Sequence, residues 1–193
     1  MGRDKALLPV ADGTLLDKTV AALREVCGGG VVLASGSSDR YDWLGLPRVA
    51  DRIPDGGPLA GLEAALTWME TQAPAARWLL ALACDMPLVE AADLHELVDA
   101  FAGADREHGR SVEVDAVLAE GPRGPEPLFA CYHVGVLPAV RAALERGERR
   151  MIAFHDDVRV RTHVPAAGRA GRNVNTPEDW QEWIATQGRE LRA

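Results

Sequence analysis

Lysine and asparagine are almost missing from this chain. Among 193 residues the only lysines are Lys5 and Lys18, and the only asparagines are Asn173 and Asn175. Alanine and arginine are abundant instead, as a coding bias would produce, so two asparagines within three residues need a local reason. Cysteine is also scarce. Cys27, Cys84 and Cys131 are odd in number, far apart and without CxxC spacing, which excludes a disulfide framework or a zinc knuckle and points to reduced, mostly buried thiols. No apolar run approaches the roughly 18 residues of a membrane span, and Met1 is followed by Gly-Arg-Asp-Lys rather than a signal core. The expectation is a soluble, cytoplasmic protein with no membrane partner. A positive net charge is lacking too: the value of -8 argues against nucleic-acid binding through a broad basic face. A small anionic ligand fits, provided a metal or one or two basic side chains neutralise it locally. Aromatics are few, and Trp43, Trp68, Trp78, Trp180 and Trp183 read as core or edge packing rather than a stacking platform.

What is present is an ordinary globular composition, 47% hydrophobic and 26% charged, over a length that suits one domain with one core. Disorder needs low hydrophobicity together with high net charge, and these do not coincide here. Strand-like and helix-like patterns alternate, which predicts a mostly parallel α/β sheet with helices on its faces. Thr14 to Val26 predicts a helix capped by Thr14 with Asp17 three residues on and stopped by Gly28. Val31 to Ala34 reads as a short buried strand and Arg48 to Ala50 as a weaker one. Pro58 to Thr71 is a helix with Pro in its first turn. Trp78 to Ala83 is a continuous apolar run, expected to be a strand buried on both faces in the parallel-sheet manner. Ala91 to Ala102 is the next helix. Asp115 to Ala119 and Leu128 to Tyr132 are strands either side of a Gly/Pro-rich turn, Gly121 to Pro125. Pro138 to Arg146 is a helix ended by Gly147, and Val158 to Val164 alternates as an edge strand would. Thr176, with Pro177 at the first turn and Asp179 three residues after the cap, starts a last helix running to about Gln187.

Several catalytic signatures are absent. There is no GxxxxGK[ST] phosphate loop, and Gly28-Gly29-Gly30 precedes its strand instead of following one, the wrong context for a dinucleotide fingerprint. His95, His108, His133, His155 and His163 show no HExxH or i, i+4 pairing, and Gly36-Ser37-Ser38 is not a nucleophile elbow. Strand-end features remain. Asp85 follows the apolar run and precedes Met86-Pro87; beyond the carboxyl end of a strand it is placed to hold Mg²⁺, or else it caps a helix beginning near Pro87 or a few residues later. Asp51 follows a strand and is followed by Gly56-Gly57-Pro58-Leu59-Ala60-Gly61, where backbone N–H groups at a helix start favour an anion, although a Gly-Pro turn is also common loop grammar. Asn173 and Asn175 share one side of an extended segment and suit a polar organic ligand; turn and capping chemistry accounts for one of them better than for two. Lys5 beside Asp4 is either solvated surface or a ligand contact.

In chain order, Met1-Gly2-Arg3-Asp4-Lys5, Gly57-Pro58-Leu59-Ala60-Gly61, Cys84-Asp85-Met86-Pro87, Gly147-Glu148-Arg149-Arg150 and Asn173-Val174-Asn175-Thr176-Pro177-Glu178-Asp179 resemble the molybdenum cofactor guanylyltransferase family over almost the whole length. The resemblance implies a single Rossmann-like three-layer nucleotidyltransferase domain spanning residues 1–193. It implies transfer of GMP from Mg-GTP to molybdopterin, with release of pyrophosphate, and molybdoenzyme chaperones or other cofactor-biosynthesis proteins as partners. It assigns Lys5, Asp51, Asp85, Gly57 and Pro58 to the GTP side, Asp85 also to Mg²⁺, and Asn173 and Asn175 to the pterin side. A further asparagine of some members falls near Ser35 or Gly36 and is changed here. A Leu-Ala-Gly-Gly loop and its strand precede Met-Gly-x-Asp-Lys in that family. The expectation is therefore that Met1 is internal and that ~15 to 20 residues, a strand of about five or six plus a turn, are missing from this numbering, leaving a gap in the sheet. A molybdopterin cytidylyltransferase and a catalytically degenerate pterin- or nucleotide-binding protein are the alternatives.

Overall fold

The computed structural model describes residues 4–11, 13–28, 30–35, 39–106 and 114–190. Met1 to Arg3, Gly29, Gly36-Ser37-Ser38 and His108, which figure in the sequence reading, lie outside them.

Two capping boxes fix where the first and last helices begin. A two-residue antiparallel pair, β1 (Pro9–Val10) and β2 (Gly13–Thr14), leads into α1 (Leu15–Val26). The Thr14 hydroxyl accepts from the Asp17 N–H, and the Asp17 carboxylate accepts from the Thr14 N–H at 2.9 Å, so two orphan donors are satisfied reciprocally. Thr176 and Asp179 repeat the arrangement at the start of α5 (Pro177–Glu190), with distances of 2.8 and 3.1 Å. Between them come α2 (Gly57–Gln72), α3 (Ala91–Arg106) and α4 (Leu137–Glu145), near where the sequence places helices.

β3 (Leu33–Ala34) and β4 (Arg48–Val49) form a short parallel pair. A second sheet has the order β5-β7-β6-β8, built from β5 (Trp78–Leu82), β6 (Ala116–Gly121), β7 (Gly124–His133) and β8 (Val160–His163). It is mixed rather than mostly parallel: β7 runs antiparallel to both β5 and β6, and only β8 pairs parallel, at the edge beside β6. The cause is the turn at Pro122-Arg123. It is too short for a crossover, so β6 and β7 can pair only as a hairpin, and Gly124 at φ +108° closes it.

β5 departs from expectation. Both faces are covered, Leu79 and Ala81 packing on one half of the core and Trp78, Leu80 and Leu82 on the other, yet all five residues are only half-buried. Among the described residues it has a hydrogen-bonded neighbour only on its β7 side, and the β3–β4 pair stands as a separate sheet. Helices bridge the two sheets: Leu16 and Val20 of α1 pack with Leu33 and Cys84, while Ala64 and Ala65 of α2 pack with Val32 and Leu79.

The core has two halves divided by the larger sheet, which makes three layers. Ala116 and Leu118 of β6 face α2 and α4, and Val117 and Ala119 face α3, as the two-residue period of a strand requires. Leu59 and Leu66 of α2 and Val140 of α4 are fully buried on the first side, and Leu94 and Leu97 of α3 on the second. After β8 the chain returns as a strap, residues 164–176, that crosses the sheet towards the end of β5. Among the described residues no helix is long and apolar enough to cross a membrane.

Candidate active site

Lys5 opens a one-turn 3-10 helix, Lys5–Leu7, whose geometry is set by its neighbour. The Asp4 carboxylate accepts from the Ala6 N–H at 3.2 Å, from the Tyr41 hydroxyl at 2.7 Å and pairs with Arg40 at 3.1 Å. Ala6, buried against Leu16 and Val20 of α1, holds the turn from below. This leaves the Lys5 side chain directed at two other segments. Its ammonium donates to Asn175 Oδ1 at 2.6 Å and lies 3.7 Å from Asp85 Oδ2.

Asp85 sits in the turn just beyond β5. No helix begins near Pro87: α3 starts at Ala91, and it is Asp93 that accepts from the Glu90 N–H at 2.9 Å. The capping reading of Asp85 therefore fails. Its Oδ1 is buried and has no hydrogen-bond partner among the described residues, which leaves a carboxylate oxygen suited to a cation. Its backbone carbonyl accepts the Val174 N–H at 2.8 Å, and Val174 is itself buried. Three segments far apart in sequence thus meet at Lys5, Asp85 and Asn175.

The asparagine pair does no capping. Asp179 does that work, accepting from the backbone of Asn175 and Thr176, and those two N–H groups hold its carboxyl below the usual range. The Asn175 amide meets Lys5, and Asn173 Oδ1 is buried without a partner.

Asp51, Gly57 and Pro58 belong to a second wall, along α2. Asp51 follows β4; its Oδ1 is buried and unpartnered, and burial pushes its carboxyl up. A Cβ on Gly61 would come within 3.9 Å of that oxygen. Gly57 adopts φ +64°, and a Cβ there would lie 3.1 Å from the Arg149 carbonyl, which accepts the Leu59 N–H at 3.4 Å. So the Gly147-Glu148-Arg149-Arg150 segment lays its backbone on the first turn of α2, and Gly57 is required by conformation and by space. Pro58 occupies that exposed first turn. Among the described residues no hydrogen bond or ion pair joins Asp51 to Lys5, Asp85 or Asn175.

Two features escape the sequence reading. Glu126 on β7 lies against Gly171 of the strap, 2.7 Å from where a Cβ on that glycine would be. Burial raises its carboxyl, Arg123 lowers it, and the charge of Asp85 raises it. Its sequence setting, between two prolines just after the predicted turn, gives no sign of this. Cys84, next to the site, is pushed up to about 11, first by burial and then by the Asp85 charge, so the thiol is not a nucleophile near neutral pH.

Among the described residues, a lysine, a strand-end carboxylate and an amide thus converge beyond the end of β5 in an α/β fold. The family model of the MobA-like NTP transferase domain matches residues 1–159. The chain is 34% identical over 154 residues to a molybdenum cofactor guanylyltransferase of Nitrobacter hamburgensis, covering 78% of this chain and 69% of that protein. A protein of the same name from Serratia proteamaculans is 31% identical over 189 residues, 97% of this chain and 88% of that one. The molybdopterin-guanine dinucleotide biosynthesis protein A of Archaeoglobus fulgidus has the same fold, with a TM-score of 0.72 at 20% identity over 96% of this chain and 92% of that one. The 2-C-methyl-D-erythritol 4-phosphate cytidylyltransferase of Thermus thermophilus shares it at 0.61 and 17%, covering 95% and 93%. The chain belongs to the MobA-like NTP transferase family and is a nucleotidyltransferase.

Proposed function

We propose that the protein transfers GMP from GTP to molybdopterin, forming the guanine dinucleotide cofactor and pyrophosphate. The observation that carries the reading is the convergence of Lys5, Asp85 and Asn175, at the positions of the family motifs, in a chain whose guanylyltransferase relatives align over nearly its full length. The terminal phosphate oxygen of molybdopterin forms a bond to the α-phosphorus of GTP while the bond to the bridging oxygen breaks and pyrophosphate leaves. The attacking phosphate is already anionic, so no general base is required. The work left to the protein is in-line positioning and charge neutralisation.

Lys5 supplies the cation, exchanging the Asn175 oxygen for a phosphate oxygen. The buried, unpartnered Oδ1 of Asp85 fits Mg²⁺, which binds through one or two carboxylates together with substrate phosphates. When bound, that ion neutralises phosphate charge and polarises phosphoryl oxygens. Asp51 and the α2 start, Gly57 and Pro58, form the GTP side. Asn173 and Asn175 face the pterin substrate, with Asn175 at the boundary because it touches Lys5. Mg-dependent GTP binding by calorimetry tests the reading: Asp85→Asn abolishes the Mg-dependent part of the affinity, whereas equal affinity in both proteins removes Asp85 from the site.

A further inference from the structure

The strap that carries the two asparagines has an anchor outside the site. Asp93, in the first turn of α3, has no exposed surface. Its Oδ2 accepts from the Glu90 N–H at 2.9 Å and from Arg169 Nε, 76 residues away, at 2.9 Å. Its Oδ1 is buried and has no hydrogen-bond partner. A second nitrogen of Arg169 reaches Glu90 Oε2 at 2.8 Å. Capping a helix needs one acceptor oxygen, and an exposed side chain does it as well. A charge closed off from water and left one hydrogen bond short needs an opposite charge, and Arg169 provides it.

Downstream of Arg169 the strap has almost no slack. Ala170 is buried and its carbonyl lies 2.8 Å from where a Cβ on Gly121 would sit, so the two backbones touch. Arg123 donates to the Gly171 carbonyl at 3.1 Å. Three residues later Val174 is fastened to the Asp85 carbonyl, and Asn175 meets Lys5. Arg169 and Asn173 are four residues apart, a reach of at most about 14 Å.

We propose that the pair between Arg169 and the buried Asp93 is the pin that sets the strap in register, so that both are positioning residues for Asn173 and Asn175. The assignment of those asparagines to the pterin substrate rests on the proposed function; the pinning does not. Trypsin cleavage after Arg172, an exposed strap residue, reads the pinning without any substrate. Arg169→Gln speeds that cleavage at least about tenfold, as 1.4 kcal/mol of lost anchoring would, and Arg169→Lys restores part of the protection. In steady-state assays Arg169→Gln raises KM for molybdopterin by a similar factor and leaves KM for GTP within about twofold, a split that general destabilisation would not give. The double variant Asp93→Asn/Arg169→Gln, which leaves no buried charge unpaired, folds but stays unpinned. Wild-type cleavage and wild-type KM for molybdopterin in that double variant would overturn the proposal, as would equal rises in both KM values. Should the wild-type protein transfer nothing to molybdopterin, the function reading fails and the cleavage rates still decide the pin.

Discussion

Lys5 illustrates how little of a residue's role lies in its own identity. Its side chain is aimed by Asp4, which is held in turn by Tyr41 and Arg40, and neither partner lies near it in sequence. Sequence reading could name Lys5, Asp85, Asn173 and Asn175, because rare residues and strand ends are visible in a string of letters. It could not tell that Asn175 is the one that meets Lys5, nor that Glu126 comes close to the site. The Tyr41 phenol carries a testable consequence. Burial, and then its hydrogen bond to Asp4, push it up to about 12. Raised above its ordinary value of 10, it adds stability that is fully present below pH 10 and is lost as pH rises through about 12. Tyr132 is shifted further the same way by burial, and these are the two tyrosines of the chain. The native protein therefore develops no phenolate absorbance at pH 10, and Tyr41→Phe removes the first transition seen at higher pH. A tyrosine half-ionised at pH 10 would mean that Asp4 is not held as described.

At the scale of elements, helix starts were legible and strand surroundings were not. Thr14 with Asp17 and Thr176 with Asp179 announce α1 and α5, because a capping box is a local pattern and local chemistry suffices to form it. The full burial expected of β5 is met only in part, for the opposite reason. An apolar run fixes a strand, but its partners are non-local, and the β6–β7 hairpin delivers an antiparallel neighbour on one side only. The cap has a measurable worth: Thr14→Ala lowers stability by about 1 kcal/mol in chemical denaturation, since the Asp17 N–H loses its acceptor. The turn between β2 and α1 also carries Leu15, which packs with Leu8, Val174, Trp180 and Trp183. Fraying there would loosen the strap's far end. No change in the denaturation midpoint would show that the box contributes nothing beyond propensity.

The molecule as a whole joins three stretches of chain at one point, its first turn, the end of β5 and the strap after β8. The three-layer class and the order of elements could be read from alternating patterns and from the family motifs. The mixed sheet, the two-part core and the Arg169 anchor could not, because each depends on contacts between residues far apart in the chain. The central claim is that this junction transfers a guanylyl group. Its most direct test is to incubate the protein with molybdopterin, Mg²⁺ and either GTP or CTP, and to quantify the dinucleotide product by mass and the pyrophosphate released. The guanine dinucleotide and an equal amount of pyrophosphate are expected with GTP, little with CTP, and neither with GTP in Asp85→Asn. Equal turnover of CTP, or full GTP turnover in that variant, would contradict the account.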